Sequence, residues 1–210
     1  MRTVAVLPVK SFGRAKQRLR PAGVDRAELA AAMVGDVLEA LAAVRGLDGV
    51  VVVSAERVDA AGIEWVHDPV EAGQSAAALR GVRTAVARAA QRVLLVPGDC
   101  PALDPAEVDD LLASAAPGVV IVPDRHGSGT NALLPDPPTV LTPAFGPGSF
   151  ARHAALAHAA GATVRVGRLP SLELDVDTPG DLAALRAALA AGHGAAPRTR
   201  ALLERLVHAA

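Results

Sequence analysis

Short apolar runs recur along this chain, and stretches of helical character separate most of them. They are Thr3–Val9, Val50–Val53, Glu64–Val66, Val93–Val96, Val119–Pro123, Thr130–Leu134, Thr163–Val166 and Leu172–Leu174. Strands that alternate with helices in this way confine a chain to an α/β sheet with helices wound on both faces. The first run has β-branched residues and no helical period, and so reads as a strand buried on both faces. Between the strands, Asp25 with Glu28 three residues on is a capping box for a helix reaching Val44. Asp104-Pro105-Ala106-Glu107 is a second helix start, and Thr178-Pro179 begins a third that runs to about Ala191. A chain of 210 residues, 51% of them hydrophobic, can bury one sizeable core. The expected architecture is therefore a single domain over residues 1–191, a Rossmann-like three-layer α/β/α with a mostly parallel sheet. Residues 192–210 follow as a short link and a C-terminal amphipathic helix.

Where polar residues interrupt these elements they mark candidate chemistry. Val93-Leu94-Leu95-Val96-Pro97-Gly98-Asp99-Cys100-Pro101 is a buried-strand run that stops on an acid. Open α/β sheets present metal and ligand groups at the C-terminal ends of their strands, which makes Asp99 a candidate. Gly-Asp and Cys-Pro are also ordinary turn dipeptides, so a capped turn explains the same residues. The loop after the first strand carries four cations in nine residues, Lys10, Arg14, Lys16 and Arg18. Cations and backbone N–H groups at that place suit phosphates, although a solvated charged face has the same composition. Neither a G-x-x-x-x-G-K-[ST] nor a G-x-G-x-x-G pattern is present there, which argues against a P-loop NTPase or a dinucleotide-binding dehydrogenase.

Two further helix starts have the same double character. Gly73-Gln74-Ser75 opens a helix whose positive end suits a base or phosphate, with Ser75 alternatively a plain N-cap. Phe145-Gly146-Pro147-Gly148-Ser149-Phe150 precedes a helix from about Ala151 to Ala160, and free N–H groups there, with Ser149 as cap, suit a phosphate or carboxylate. Near the end, Asp175 and Asp177 would point to one face of an extended segment, where two carboxylates face a common cation.

Composition removes several classes of function. A formal net charge of -1 gives no reason to expect nucleic acid or an anionic membrane surface as partner, and no apolar stretch approaches the length of a membrane span. Aromatics at 2% leave few platforms for base stacking. With Cys100 as the one cysteine no intrachain disulfide forms, and Met1-Arg2-Thr3 leads into a strand broken by Pro8 and Lys10 rather than into a signal peptide. A cytoplasmic protein is the simplest expectation.

A cationic first loop, an acid at the end of a central strand and a late Asp-x-Asp together are what metal-assisted nucleotidyl transfer needs. Cations hold the β and γ phosphates, carboxylate-bound Mg²⁺ offsets charge at the α phosphorus, and no protein nucleophile is required.

Five motifs in order carry a family resemblance: Leu7-Pro8-Val9-Lys10 with Ala15-Lys16-x-Arg18-Leu19, Gly98-Asp99-Cys100-Pro101-Ala102-Leu103, Gly129-Thr130-Asn131-Ala132-Leu133, Phe145-Gly146-x-Gly148-Ser149-Phe150 and Leu174-Asp175-Val176-Asp177-Thr178-Pro179. From Val4 to about Leu185 the chain resembles the CofC/FbiD guanylyltransferases of coenzyme F420 biosynthesis. The resemblance implies a nucleotide-diphospho-sugar-transferase-like fold, and condensation of GTP with a small phosphorylated three-carbon acid, releasing pyrophosphate. Phosphoenolpyruvate is the expected acceptor, giving enolpyruvoyl-2-diphospho-5'-guanosine, with 2-phospho-L-lactate as the alternative. It further implies Thr130, Gly146 and Ser149 at the acceptor, and Mg²⁺ on Asp99 with Asp175 and Asp177. Lys10, Lys16 and Arg18 would stabilise the leaving pyrophosphate, Lys10 and Lys16 acting with Asp99 as the catalytic groups, and Gly73 and Ser75 would lie on the nucleotide. A transferase of the F420 pathway that consumes the product is the implied partner; oligomeric state stays open. In the Gly73-Gln74-Ser75 segment the chain departs from the Gly-Leu-Asn expected of relatives, which leaves its part in guanosine binding open. Two rival readings are a molybdenum-cofactor-type nucleotidyltransferase, which would carry a Gly-Gly-rich first loop in place of Pro8-Val9-Lys10, and a non-catalytic GTP-binding regulatory subunit.

Overall fold

β1 (Thr3–Pro8) and β2 (Gly49–Ser54) are buried along nearly their whole length, as are β4 (Arg92–Leu95) and β5 (Gly118–Pro123). Their sequences are apolar on both sides of the pleat because helices cover both faces of the sheet they form. β3 (Ile63–His67) and β7 (Val164–Val166) are the half-exposed edges, and β6 (Thr130–Asp136) lies between β4 and β5. The computed structural model describes residues 1–14, 19 and 25–207. Its seven strands run in the order β3-β2-β1-β4-β6-β5-β7; β6 is antiparallel to both neighbours and the other pairings are parallel.

Alternate residues of one strand serve opposite faces. Leu94 of β4 joins the cluster formed with α1 (Arg26–Ala43) and α3 (Pro105–Ser114), whereas Val93 and Leu95 join the cluster under α2 (Gln74–Ala87) and α4 (Ser149–Ala159). Fully burying each leucine contributes about 1.5–3 kcal/mol. α2 lies unusually close to the sheet at Gly81, where a Cβ would stand 2.3 Å from Val6 Cγ1. That approach needs a glycine.

A third cluster joins Leu29 and Met33 of α1 to Leu182, Leu185 and Leu189 of α6 (Pro179–Ala190), and to Leu202 and Leu203 of α7 (Pro197–Val207). Asp36 of α1, 2% exposed, accepts from the Arg198 and Thr199 N–H groups at the start of α7, offsetting donors that helix would otherwise leave open. No helix among the described residues is long and apolar enough to cross a membrane.

The structure departs from the sequence expectations at several local points. Leu172–Leu174, expected as a strand, instead starts inside the one-turn helix α5 (Pro170–Glu173), because Pro170 sets the first helical position and Glu107 accepts from the Ser171 N–H and hydroxyl. That use of Glu107 also explains why α3 has an Asp104 cap without a reciprocal box. At α1 the Asp25 carboxylate accepts from Ala27 N–H.

The order of strands sets where a ligand can sit. β1 and β4 are adjacent parallel strands, so the loops following them emerge side by side at the carboxyl ends, where open α/β sheets bind their ligands. Lys10 and Asp99 lie on those two loops.

Candidate active site

Asp99 lies in the turn directly after β4 and is partly buried. Its backbone carbonyl accepts from Val176 N–H at 3.1 Å, which fastens the Asp175–Asp177 segment beside the end of the central strand. Asp175 is held in turn by Asn131, whose amide donates to its carboxylate at 3.1 Å and to the Leu172 carbonyl at 2.8 Å. Burial first, and then the neighbouring charges of Asp99 and Asp177, push the Asp175 carboxyl above the ordinary carboxylate value, against the lowering hydrogen bond from Asn131. Asp177 is exposed.

The fold therefore places Asp99 and Asp175 in one field of negative charge, with Asp177 acting on Asp175 from the outside. Among the described residues no group of three or more His, Cys, Asp or Glu side chains is arranged to hold a metal ion by itself. A pair of neighbouring hard carboxylates nevertheless suits Mg²⁺, which typically takes one or two carboxylates and completes its shell with substrate phosphates and water.

Asp181, buried at the start of α6, organises this segment. Its carboxylate accepts from the N–H groups of Asp177 and Thr178 and from the Thr178 hydroxyl, and Thr178 caps the helix reciprocally. Arg125, from the loop joining β5 to β6, pairs with the same carboxylate. Burial raises the Asp181 carboxyl, but the Thr178 and Asp177 hydrogen bonds and the Arg125 charge outweigh it, so the net shift is downward. Asp181 is thus a charged anchor for the loop that carries Asp175 and Asp177.

On the other side of β6, Thr130 and Asn131 point to opposite faces, as successive strand residues must. Thr130, buried, meets His153 of α4, with Oγ1 3.0 Å from Nδ1. His153 is 0% exposed, its Nε2 accepts from Ala144 N–H at 2.8 Å, and the Phe145 ring packs edge-on against it. Burial, followed by the nearby Arg152 charge, depresses the His153 pKa to about 4.

The Phe145–Phe150 loop is fixed from several directions. Ser75 Oγ accepts from Phe145 N–H, Arg152 donates to the carbonyls of Ala144, Phe145 and Pro147, and the Ser128 carbonyl accepts from Phe150 N–H. Gly146 and Gly148 adopt φ of 111° and 71°, backbone that an L side chain rarely takes, and Gly148 is the N-cap of α4. Ser149 is accordingly the first helical residue, 2% exposed, rather than the cap. Its N–H is already used by the Gly146 carbonyl and that of Phe150 by Ser128, so two donors expected to be open at this helix start are engaged. Ser75 departs in the same way. Gly73, with φ 106°, is the N-cap of α2, and Ser75 spends its hydroxyl on the Phe145 loop.

Lys10 is exposed beyond the end of β1. Beside it, the N–H groups of Ser11 and Phe12 are taken by the carboxylates of Glu71 and Glu56, which bind the first loop to those following β3 and β2. Lys16 and Arg18 lie outside the described residues.

Sequence reasoning passed over Asn131, His153 and Asp181. Asp181 had a signal, the Thr178-x-x-Asp181 capping spacing. His153 lies four residues after Ser149, on the same face of an alanine-rich helix, and that spacing is visible too.

Solved structures with the same fold include a protein from Desulfovibrio desulfuricans G20 named for the nucleotide-diphospho-sugar transferases, with a TM-score of 0.73 at 19% identity, covering 98% of this chain and 95% of that one. A nucleotidyl transferase from Methanothermobacter thermautotroptrophicus aligns with a TM-score of 0.64 at 18% identity, over 89% of this chain and 96% of that one. In sequence, the phosphoenolpyruvate guanylyltransferase of Conexibacter woesei is 49% identical over 99% of this chain and 97% of its own length. That of Sphaerobacter thermophilus is 38% identical over 92% and 94%. The family model described as guanylyl transferase CofC like matches residues 3–208, a span that takes in the Asp99 turn, the Asp175–Asp177 segment and the Phe145 loop. With residues 3–208 matched and 49% identity over nearly its whole length, the chain belongs to the CofC-like guanylyl transferase family.

Proposed function

We propose that this protein is a phosphoenolpyruvate guanylyltransferase. It condenses GTP with phosphoenolpyruvate to enolpyruvoyl-2-diphospho-5'-guanosine and pyrophosphate, a step of coenzyme F420 biosynthesis. The observation that carries the choice of acceptor is the 49% identity, over nearly the full length of both chains, to the Conexibacter woesei enzyme of that name.

The geometry supports a division of labour across the site. On one wall, the Thr130 and Ser149 hydroxyls and the Gly146 backbone are the expected contacts for a small phosphorylated carboxylic acid, the N–H groups of Phe145, Ser149 and Phe150 being engaged within the protein. Asp99 and Asp175, with Asp177 outside them, form the acidic floor. Lys10 stands at the mouth beyond β1, and Lys16 and Arg18 belong to the same loop in sequence. Gly73 and Ser75, at the start of α2, back the acceptor loop from the nucleotide side.

In the reaction an oxygen of the acceptor's phosphate attacks the α phosphorus of GTP. One P–O bond forms, the bond from the α phosphorus to the β-phosphate's bridging oxygen breaks, and its electron pair leaves with pyrophosphate. Because the nucleophile is already an anion, no side chain has to remove a proton. The protein's part is alignment and charge compensation. Asp99 and Asp175 would hold Mg²⁺, which offsets charge at the α phosphorus. Lys10, with Lys16 and Arg18, would balance charge on the leaving group. A cytoplasmic location and a downstream transferase that takes up the reactive diphosphate product fit this role.

The test is pyrophosphate release from GTP and Mg²⁺ with phosphoenolpyruvate, 2-phospho-L-lactate and 3-phosphoglycerate supplied separately. The proposal expects the highest kcat/KM with phosphoenolpyruvate. Preference for 2-phospho-L-lactate would replace the acceptor, and no turnover with any of the three would remove the function.

A further inference from the structure

His153 sits one turn along α4 from Ser149, on the same buried face, and touches both halves of the acceptor wall. Its two ring nitrogens have different partners. Nε2 faces the backbone N–H of Ala144 at 2.8 Å, and a backbone N–H can only donate. Nε2 must therefore present its lone pair, which excludes the imidazolium and puts the single ring proton of the neutral imidazole on Nδ1. Nδ1–H then points at Thr130 Oγ1, 3.0 Å away, and the threonine oxygen accepts. Once its oxygen is used as an acceptor from this side, the hydroxyl still has its own proton to give. Among the described residues, Thr130 Oγ1 has no other side-chain or backbone hydrogen bond that takes that proton.

We propose that His153 is a positioning residue for acceptor binding: by donating from Nδ1 to Thr130 Oγ1 it turns the threonine hydroxyl proton away from α4, as a directed donor to an oxyanion of the acceptor. This rests on the reading that Thr130 binds the acceptor. The same ring, through Nε2, fixes Ala144 and so the entry to the loop carrying Gly146 and Ser149. One side chain thus sets both the polarity of Thr130 and the place of the loop beside it. A threonine hydroxyl without this partner rotates freely and can equally well present its lone pairs, which repel a phosphate or carboxylate.

Two amide substitutions separate the two bonds. The shorter side chain of His153→Asn can put an NH₂ near the Nδ1 position and keep the donor to Thr130. The longer one of His153→Gln reaches the Nε2 position, keeps an acceptor for Ala144 and loses the Nδ1 donor. For His153→Gln the expectation is a rise in the phosphoenolpyruvate KM of about tenfold, the scale of one hydrogen bond to a charged group, with the GTP KM within about twofold. His153→Asn should recover most of that loss, and His153→Gln should add little to Thr130→Val in the double variant, because the two changes remove one interaction.

An active enzyme whose Thr130→Val variant loses acceptor affinity, while Asn and Gln at 153 behave alike, or whose GTP KM rises as much as the acceptor's, overturns the inference alone. Thr130→Val with an unchanged acceptor KM removes the reading of Thr130, and the inference with it. Inactive wild-type protein removes the function and the inference together. Wild-type protein also gives an answer independent of the variants' folding. The ring-nitrogen NMR shifts of ¹⁵N-labelled His153 should show Nδ1 protonated and Nε2 bare at neutral pH, and the opposite tautomer would refute the inference.

Discussion

Acid should weaken this protein through His153 in particular. The unfolded chain binds the His153 proton below the ordinary value of 6.5, whereas the folded chain refuses it until about pH 4, because burial and then Arg152 oppose the charge. Between those values the unfolded state holds one more proton, so stability rises with pH across the window. The stability is fully present above pH 6.5 and is lost as the pH falls towards 4. Each pH unit of difference corresponds to about 1.4 kcal/mol, so the whole window amounts to about 3 kcal/mol, of which about 2 kcal/mol is gone at pH 5. Urea unfolding of wild type and His153→Asn at pH 7.5 and pH 5 isolates this contribution, since the other titrating groups are shared. At pH 7.5 the variant should be the less stable, for want of the Nε2 bond to Ala144 and of packing volume. On moving to pH 5, wild type should lose about 2 kcal/mol more than the variant does. Parallel losses in the two proteins would show that His153 titrates normally in the fold, and would refute the reasoning from its burial.

Two other perturbations probe different parts of the account. The raised Asp175 carboxyl means that its charged form is disfavoured in the fold; its contribution is intact below the ordinary carboxylate value and is lost as the pH rises through the raised one. Asp175→Asn should therefore raise the melting temperature in chelator while abolishing turnover and shrinking the melting-temperature gain from Mg²⁺; a less stable variant with an undiminished Mg²⁺ shift would contradict this. Gly81→Val, whose Cβ would meet Val6 Cγ1 at 2.3 Å and Val53 Cγ2 at 3.0 Å, should lower the urea midpoint by the equivalent of about 2 kcal/mol or more at unchanged m-value, and an unaltered midpoint would mean that α2 can lift off the sheet at no cost.

The layers of the fold were legible because burial on both faces writes itself into sequence. A continuous Val/Leu/Ile run such as Val50–Val53 has few other homes, and the alternation of such runs with capped helices fixes the class. Antiparallel β6 was visible only as an extended segment, since strand direction depends on the connection and leaves no mark on the residues. Leu172–Leu174 misled because three apolar-leaning residues fit a strand or a helical turn equally, and the deciding contact, Glu107 with Ser171, comes from 64 residues away.

The site divides in the same way. Asp99 and the Asp175/Asp177 pair stood out as acids at the ends of apolar runs, and the fold puts Asp99 and Asp175 within reach of each other's charge. Ser75 and Ser149 looked like caps because serine before a helix usually is one. In the structure glycines at positive φ take both cap positions and leave one serine to tie loops together and the other buried in the first turn of α4. Asn131, His153 and Asp181 act on residues 44, 23 and 56 positions distant, namely Asp175, Thr130 and Arg125. Pairings of that range are set by strand order, and no local pattern announces them.

The central claim is guanylyl transfer to phosphoenolpyruvate at a site floored by Asp99. Its most direct test supplies GTP labelled at the α phosphorus, Mg²⁺ and phosphoenolpyruvate to wild type and to Asp99→Asn. The account predicts that wild type moves the label into an enolpyruvoyl-diphospho-guanosine with one pyrophosphate released per product, and that Asp99→Asn, still folded, forms essentially none. Label remaining in GTP with wild type, or equal product from the two proteins, would contradict it.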